Sequence, residues 1–107
     1  MAKIYNKLVR DRIPEIIEKD GEVPFVRILD DAEYREELKK KLREEAEELI
    51  LAKDNDELIK EIGDVLEVLE FIEKSFGLDK EEILKIKEER KQKRGGFEKK
   101  IFLEKTE

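Results

Sequence analysis

Four carboxylates within residues 41–70 occupy positions where a helical pair would need apolar side chains: Glu45, Glu48, Glu61 and Asp64. Glu45 interrupts an apolar seam that is otherwise formed by Leu38, Leu42, Leu49 and Ala52. Glu61 and Asp64 flank the apolar stripe of a second predicted helix. A carboxylate directed toward a core costs several kcal/mol unless it pairs with a cation or binds a metal ion.

These carboxylates also share a register. In an antiparallel hairpin, residues at the same level lie equally far from the turn that joins the helices. Glu45 with Asp64, and Glu48 with Glu61, are both symmetric about a point inside residues 54–56, which form a polar turn. We therefore expect the four side chains to meet across the two helices, within about one helical turn because hairpin loops vary.

Two kinds of partner could neutralise such a cluster. Oxygen ligands alone suit Mg²⁺, Mn²⁺ or Ca²⁺ rather than zinc, whereas a salt-bridge network could use Lys41, Arg43 or Lys60. Spacing alone leaves both open. Four other acids of the two predicted helices do not both border the apolar seam and share the register. We predict that these face solvent: Glu47, Glu57, Glu67 and Glu70.

The composition restricts the possible functions. The chain has 107 residues, which favours a single domain over residues 1–107, and it has neither Cys nor His, so thiolate and imidazole chemistry is excluded. Its net charge of −6 argues against a nucleic-acid binder. Only 38% of the residues are hydrophobic and 50% are charged, so we expect the chain to bury further apolar surface against another subunit. No apolar run approaches a membrane span, so we expect a soluble, cytoplasmic protein.

The elements that must position the cluster follow from periodicity and caps. A short helix has Pro14 in its first turn and ends at Gly21. A long helix follows a cap at Asp30 and runs to about residue 53. The next helix, capped by Asn55 or Asp56, runs to Gly77, and its predicted apolar positions are Leu58, Ile62, Val65, Leu69, Ile72 and Phe76.

A final helix begins near Asp79 and ends at Gly95 and Gly96. Residues 23–29 and 97–103 are each predicted to form a short strand, and the second could pair with residues near Val26. The fold class is mainly α, with a minor short β element, built on an antiparallel helical hairpin. Gly63, inside the second hairpin helix, costs roughly 1 kcal/mol relative to Ala, which close helix packing or room for a substrate would explain.

The acidic pattern, Glu44-Glu45-x-x-Glu48 followed by Glu61-x-x-Asp64, resembles the motif of the MazG-like all-α NTP pyrophosphohydrolase superfamily, which includes phosphoribosyl-ATP pyrophosphohydrolases. The opening NKLVRDRIPEII and the closing RGGF resemble a subgroup of house-cleaning nucleotide pyrophosphatases. The resemblance implies Mg²⁺-dependent hydrolysis of an NTP or dNTP to the monophosphate and pyrophosphate. Mn²⁺ is a possible substitute.

The same resemblance implies site residues and an assembly. Glu45, Glu48, Glu61 and Asp64 match the metal ligands, and Glu44 matches an acid that supports a ligand or orients the attacking water. Glu44 and Glu45 are the candidate catalytic residues, since a carboxylate could accept the proton of that water. The family also implies a homodimer or homotetramer, in which hairpins pack into four-helix bundles with a partner subunit.

Cations outside the acidic motif could hold the phosphates of the substrate. The candidate substrate-binding residues are Asn6, Lys7, Arg10, Arg12, Lys87, Arg90, Arg94 and Phe97. Arg94, followed by two glycines, could grip a phosphate bidentately. Phe97 could stack on a base or fill a core, and Asn6 could contact a base edge or form a turn. For each cation the alternative is a solvated surface residue or an ordinary ion pair.

Three alternatives to an NTP pyrophosphohydrolase remain. A phosphoribosyl-ATP pyrophosphohydrolase belongs to the same superfamily, although NKLVRDRIP and RGGF are not features that we associate with that branch. A non-catalytic helical interaction module would have its carboxylates tied up in salt bridges. The basic segment KEERKQKR leaves a weaker possibility of nucleic-acid binding.

Overall fold

A computed structural model describes residues 2–107, and this part of the chain contains four helices and no strand. The helices are α1 (Ile13–Lys19), α2 (Asp31–Ile50), α3 (Asn55–Ser75) and α4 (Lys80–Arg94). The chain forms two compact units, one that ends at Gly77 and one that runs from Leu78 to Glu107. The mainly α class is therefore confirmed. None of the described helices combines the length and the apolar character needed to cross a bilayer.

Side-chain caps define where the two long helices begin. The Asp30 carboxylate accepts a hydrogen bond from the Glu33 backbone N–H at 2.8 Å, as its position predicts. The α3 cap is Asp54, which accepts from the Glu57 N–H at 2.8 Å. The prediction of Asn55 or Asp56 as this cap was wrong by one or two residues, because Glu57 at the third helical position reaches back to the Lys53 N–H and favours the earlier start.

α2 and α3 pack on each other as an antiparallel hairpin, and a side chain joins their open ends. The Arg35 Nε donates to the carbonyl oxygen of Ser75 at 2.9 Å, which satisfies a carbonyl near the end of α3. The Arg35 guanidinium also lies over the Phe76 ring, 5.7 Å from its centroid. These contacts tie the beginning of α2 to the end of α3 and so help to set the register of the hairpin.

The core of the hairpin is small. Leu38 and Val68 are its buried apolar residues, and the third buried residue is Glu45. The rest of the predicted α2 seam is half-buried: Leu42, Leu49 and Ala52. Because so few residues are buried, the Glu45 carboxylate is a large part of what the hairpin removes from water.

The predicted apolar stripe of α3 is only partly the face that packs on α2. Val65 and Ile72 are half-buried as predicted, but Leu58, Ile62, Leu69 and Phe76 are exposed. The α2-facing side instead includes Val68, together with Glu61 and Asp64. Periodicity misplaced this face because apolar residues surround more than half of α3, so that spacing alone does not select one side.

The two predicted strands are absent from residues 2–107, and this prediction was wrong. Residues 23–29 have no regular secondary structure, with Phe25 and Ile28 almost fully exposed and no ladder partner within the described chain. In the second segment, the Lys100 N–H donates to the Phe97 carbonyl oxygen at 3.2 Å, and Lys100 has a φ of 59°. This turn interrupts the apolar alternation, which cannot make a strand without a hydrogen-bonded neighbour.

Candidate metal centre on the helical hairpin

The hairpin brings acidic side chains from both helices to one place. Glu45 from α2 and Glu61 and Asp64 from α3 each offer a carboxylate oxygen, and these oxygens lie within 4.8 Å of one another. The fourth predicted member, Glu48, is exposed at the edge of this group, where its charge acts on both Glu45 and Glu61. The predicted meeting of carboxylates across the hairpin is thus found, with three at the centre and one at the rim.

Burial sets the electrostatics of the two central glutamates. Burial raises the pKa of Glu45, and the neighbouring Glu48 and Asp64 carboxyls raise it further against the opposing effect of Lys41. Loss of solvent likewise raises the pKa of Glu61, and the charges of Glu48 and Asp64 add to the effect. Both residues are therefore held in a site that disfavours their charged form unless a cation is close.

Two oxygens in this cluster are buried and have no hydrogen-bond partner among residues 2–107: Glu45 Oε2 and Glu61 Oε2. Buried carboxylate oxygens are normally satisfied, and an unsatisfied one carries a desolvation cost. An oxygen-only donor set with two unsatisfied atoms fits a hard divalent cation such as Mg²⁺. This observation is independent of the sequence motif, since it depends on how the helices pack.

Glu44 lies outside this group of three and pairs with two lysines. Lys7 Nζ and Lys41 Nζ both lie near Glu44 Oε1, at 3.1 and 3.3 Å, and Lys41 Nζ is also 3.6 Å from Glu45 Oε1. Burial opposes ionisation of Glu44, but the hydrogen bonds from Lys7 and Lys41 outweigh it and hold the pKa of Glu44 below its ordinary value. The salt-bridge alternative is therefore realised in part, because Lys7 pairs with Glu44 and Lys41 lies near both Glu44 and Glu45.

Arg10 reaches the other side of the cluster. Its guanidinium donates to Asp64 Oδ1 at 2.9 Å and lies 3.6 Å from Glu67 Oε2. Glu67, which was predicted to face solvent, is half-buried and shares this arginine with Asp64, one turn earlier on α3. Sequence spacing gave no signal for this contact, since Arg10 belongs to an irregular segment.

The other predicted substrate-binding residues of the first unit lie at varying distances from the carboxylates. Arg12 pairs with Glu15 of α1 at 2.8 Å. Asn6 has a φ of 46°, a left-handed conformation typical of a turn. With Lys7 and Glu44 it helps to line a crevice of about 40 Å³ between the N-terminal segment and α2. A crevice of this size holds a water molecule but not a nucleotide.

The remaining candidates belong to the second unit, around α4. Lys87 and Arg90 are exposed on this helix, Arg94 is its last residue, and their spacing places all three on one face. Gly95, with a φ of 84°, ends the helix as predicted. Phe97 is 99% exposed, so its interpretation as a core residue was wrong and its side chain is free to contact a ligand or another surface.

An antiparallel helical pair that gathers carboxylates from both helices defines an all-α protein with a candidate divalent-cation centre. A family model supports this class. The chain belongs to the phosphoribosyl-ATP pyrophosphohydrolase family, whose model matches residues 8–91. The match includes the whole hairpin and all of the acidic motif, and it ends before Arg94 and Phe97. The predicted membership of the MazG-like superfamily is thereby confirmed.

Other comparisons add less about function. An uncharacterized protein of Mycolicibacterium smegmatis is 50% identical to this chain over 50 residues, which are 47% of this chain and 51% of that protein. The chain thus spans about half the length of this curated relative. No solved structure matches the chain.

Proposed function

We propose that the protein is a nucleotide pyrophosphohydrolase that cleaves an NTP or dNTP with water to give the monophosphate and pyrophosphate, as a house-cleaning enzyme of the cytoplasmic nucleotide pool. The observation that carries this proposal is the buried Glu45, which faces Glu61 and Asp64 and has an oxygen without a partner among the described residues. The family match supports the reaction class.

Glu45, Glu61 and Asp64 would hold a Mg²⁺ ion, with Glu48 at the rim as a further ligand, and Mn²⁺ could replace it. When bound, the ion would neutralise phosphate charge and lower the pKa of a coordinated water molecule. The cluster fits this role because Glu45 Oε2 and Glu61 Oε2 have no hydrogen-bond partner among residues 2–107, although Arg10 pairs with Asp64 and Lys41 lies near Glu45.

The chain's own residues orient the reactants. The reaction breaks the phosphoanhydride bond between the α and β phosphoryl groups, and the oxygen of water joins one of the two phosphorus atoms. The proton of that water passes to a carboxylate of the cluster, and Glu45 is the candidate because, of the two predicted catalytic acids, it is the one that lies with Glu61 and Asp64. Glu44 is assigned the supporting role, since two lysines occupy one of its oxygens.

The predicted cationic residues would bind the phosphates. Lys7 and Arg10 already lie beside the carboxylates. Arg12, Lys87, Arg90 and Arg94 are exposed and able to change partners. Asn6 and Phe97 are the candidates for contacts with the base. Several such donors would together stabilise the leaving pyrophosphate as its negative charge develops.

A second copy of the chain would complete the site. α3 exposes a stripe at i, i+3, i+7 and i+10 spacing, namely Ile59, Ile62, Leu66 and Leu69. This face is free because α2 packs against the side that contains Val68. A homodimer or homotetramer that pairs such faces would make four-helix bundles.

The test is product analysis with a panel of NTPs, dNTPs and phosphoribosyl-ATP in Mg²⁺. We expect pyrophosphate and a monophosphate from at least one triphosphate, and loss of this activity in Glu45→Ala and Asp64→Asn. Phosphoribosyl-ATP is the second candidate substrate, favoured by the match to the phosphoribosyl-ATP pyrophosphohydrolase family. Turnover of that compound alone would favour it. The absence of turnover on the whole panel would favour a non-catalytic helical module.

A further inference from the structure

The N-terminal segment, residues 2–12, is held on the hairpin by two cations that lie 3 residues apart. Lys7 pairs with Glu44 of α2 at 3.1 Å, and Arg10 pairs with Asp64 of α3 at 2.9 Å. The segment therefore contacts both helices of the hairpin, with one cation paired to a carboxylate of each helix. Of the two cations, Arg10 is the one bound directly to a candidate metal ligand.

Arg10 has two carboxylate partners and is still open to solvent. Its Nη2 donates to Asp64 Oδ1, its Nη1 lies 3.6 Å from Glu67 Oε2, and 57% of its side chain is exposed. Ion pairs between exposed side chains contribute little to stability, because water competes for both partners. Arg10 can therefore leave Asp64 at low cost when a better partner becomes available.

The Arg10 guanidinium beside Asp64 disfavours the binding of a divalent cation at the same carboxylate. The Arg10 charge lies one hydrogen bond from a carboxylate whose oxygens reach those of Glu45 and Glu61. A divalent ion at that cluster would repel the guanidinium at short range. The same ion would attract a triphosphate, which offers the guanidinium planar anionic partners that it can bind bidentately.

We propose that Arg10 exchanges partners during the reaction cycle: it neutralises Asp64 while the metal is absent and moves to the substrate phosphates once a divalent ion is bound. This inference rests on the proposed function and adds an order to it. The ion must bind first, because Arg10 is engaged with Asp64 until then and the cluster repels a triphosphate. Arg10 is thus a substrate-binding residue that couples metal binding to nucleotide binding.

The exchange predicts that one substitution changes the affinity for Mg²⁺ and the affinity for a phosphate chain in opposite directions. Arg10→Ala should bind Mg²⁺ alone about 2- to 5-fold more tightly, because a competing cation is lost. The same variant, saturated with Mg²⁺, should bind the magnesium complex of tripolyphosphate about tenfold more weakly, because a charge-assisted contact is lost. A residue that merely supported the fold or oriented Asp64 would weaken both steps.

Calorimetric titration measures both steps with the full chain. Arg27→Ala is the matched control, since Arg27 also forms an exposed pair with a glutamate, Glu33, at 2.6 Å in the same unit. It should change neither affinity, and Arg10→Lys should restore part of the tripolyphosphate binding. Hydrogen exchange in residues 2–12 of the wild-type chain should increase when Mg²⁺ alone is added.

The outcomes separate this inference from the proposed function. Opposite changes in Arg10→Ala support the exchange. Changes in the same direction, or no change at either step, overturn it, even if the wild-type chain binds Mg²⁺ and hydrolyses a nucleotide. A wild-type chain that neither binds Mg²⁺ nor releases pyrophosphate overturns the proposed function and the exchange together.

Discussion

Glu45 and Glu61 face each other across the hairpin, and each has a buried oxygen without a hydrogen-bond partner in residues 2–107. Desolvated carboxylates of this kind destabilise a fold in which no cation joins them. The same arrangement makes a strong oxygen site once a cation is present. The hairpin thus contains a conflict between stability and ligand binding, and this conflict can be measured.

Replacing Glu45 by the neutral Gln should stabilise the metal-free protein. At neutral pH in EDTA, the substitution removes a buried charge that lies beside Glu48 and Asp64. We expect a rise in the melting temperature of a few degrees, on the order of 1 kcal/mol in the free energy of unfolding. Glu47→Gln, on the exposed side of α2, is the control and should leave the melting temperature almost unchanged. A lower melting temperature for Glu45→Gln would show that Lys41 outweighs the burial of Glu45.

The stabilisation by Glu45→Gln should depend on pH in one direction. The folded chain holds the Glu45 proton more tightly than the unfolded chain, whose Glu pKa is close to 4.5. The contribution of this group to stability is therefore fully present below that value and is lost as the pH rises through its raised folded pKa. The difference in melting temperature between variant and wild type should grow from pH 4 to pH 7 in EDTA. A constant or shrinking difference would contradict the raised pKa.

Gly63→Ala tests why a glycine is tolerated inside α3. A Cβ added at this position would meet no heavy atom within 4 Å, so the close packing of helices that the sequence suggested does not exist within the hairpin. We expect Ala to raise the unfolding free energy of the isolated chain by up to about 1 kcal/mol, because glycine costs helix entropy. Thermal melting at low protein concentration measures this. Stabilisation with a loss of turnover would assign Gly63 to substrate access or to a subunit contact, whereas destabilisation would contradict its open surroundings.

Leu66→Lys tests the second-copy interface. Leu66 is 61% exposed, so a charged residue there should leave the fold of a single chain within about 0.5 kcal/mol of the wild type. If α3 pairs with another copy through this face, the substitution buries a charge and should abolish the dimer in sedimentation velocity. Glu47→Lys, exposed on α2, is matched in size and keeps the dimer in this account. A dimer that survives Leu66→Lys would move the interface away from this face.

The sequence predicted the hairpin and its carboxylates well because both depend on local rules. Spacing on a helix places Glu45 on the seam of Leu38 and Leu42, and the symmetry about residues 54–56 places Asp64 opposite it. The α3 cap was misassigned by a residue or two because Asp54, Asn55 and Asp56 all have side chains that can cap a helix.

Contacts between residues far apart in the chain could not be predicted from the sequence. The Arg10 contact with Asp64 spans 54 positions and begins in an irregular segment, so that no periodicity points to it. The packed face of α3 could not be selected because Leu66 and Leu69 are as apolar as Val68, which is the residue that is buried. Residues 97–103 alternate like a strand, but a turn at Phe97 interrupts them and no partner strand exists within the described chain.

The measurement that tests the account most directly is thermal melting of the wild-type chain, Glu45→Gln and Asp64→Asn with and without Mg²⁺. A ligand that binds only the folded state stabilises it, by about 2.7 kcal/mol at 100 times its Kd. We predict that Mg²⁺ raises the melting temperature of the wild-type chain by several degrees and does not raise that of either variant. A wild-type chain indifferent to Mg²⁺, or variants that respond as fully as the wild type, would contradict a metal centre at Glu45, Glu61 and Asp64.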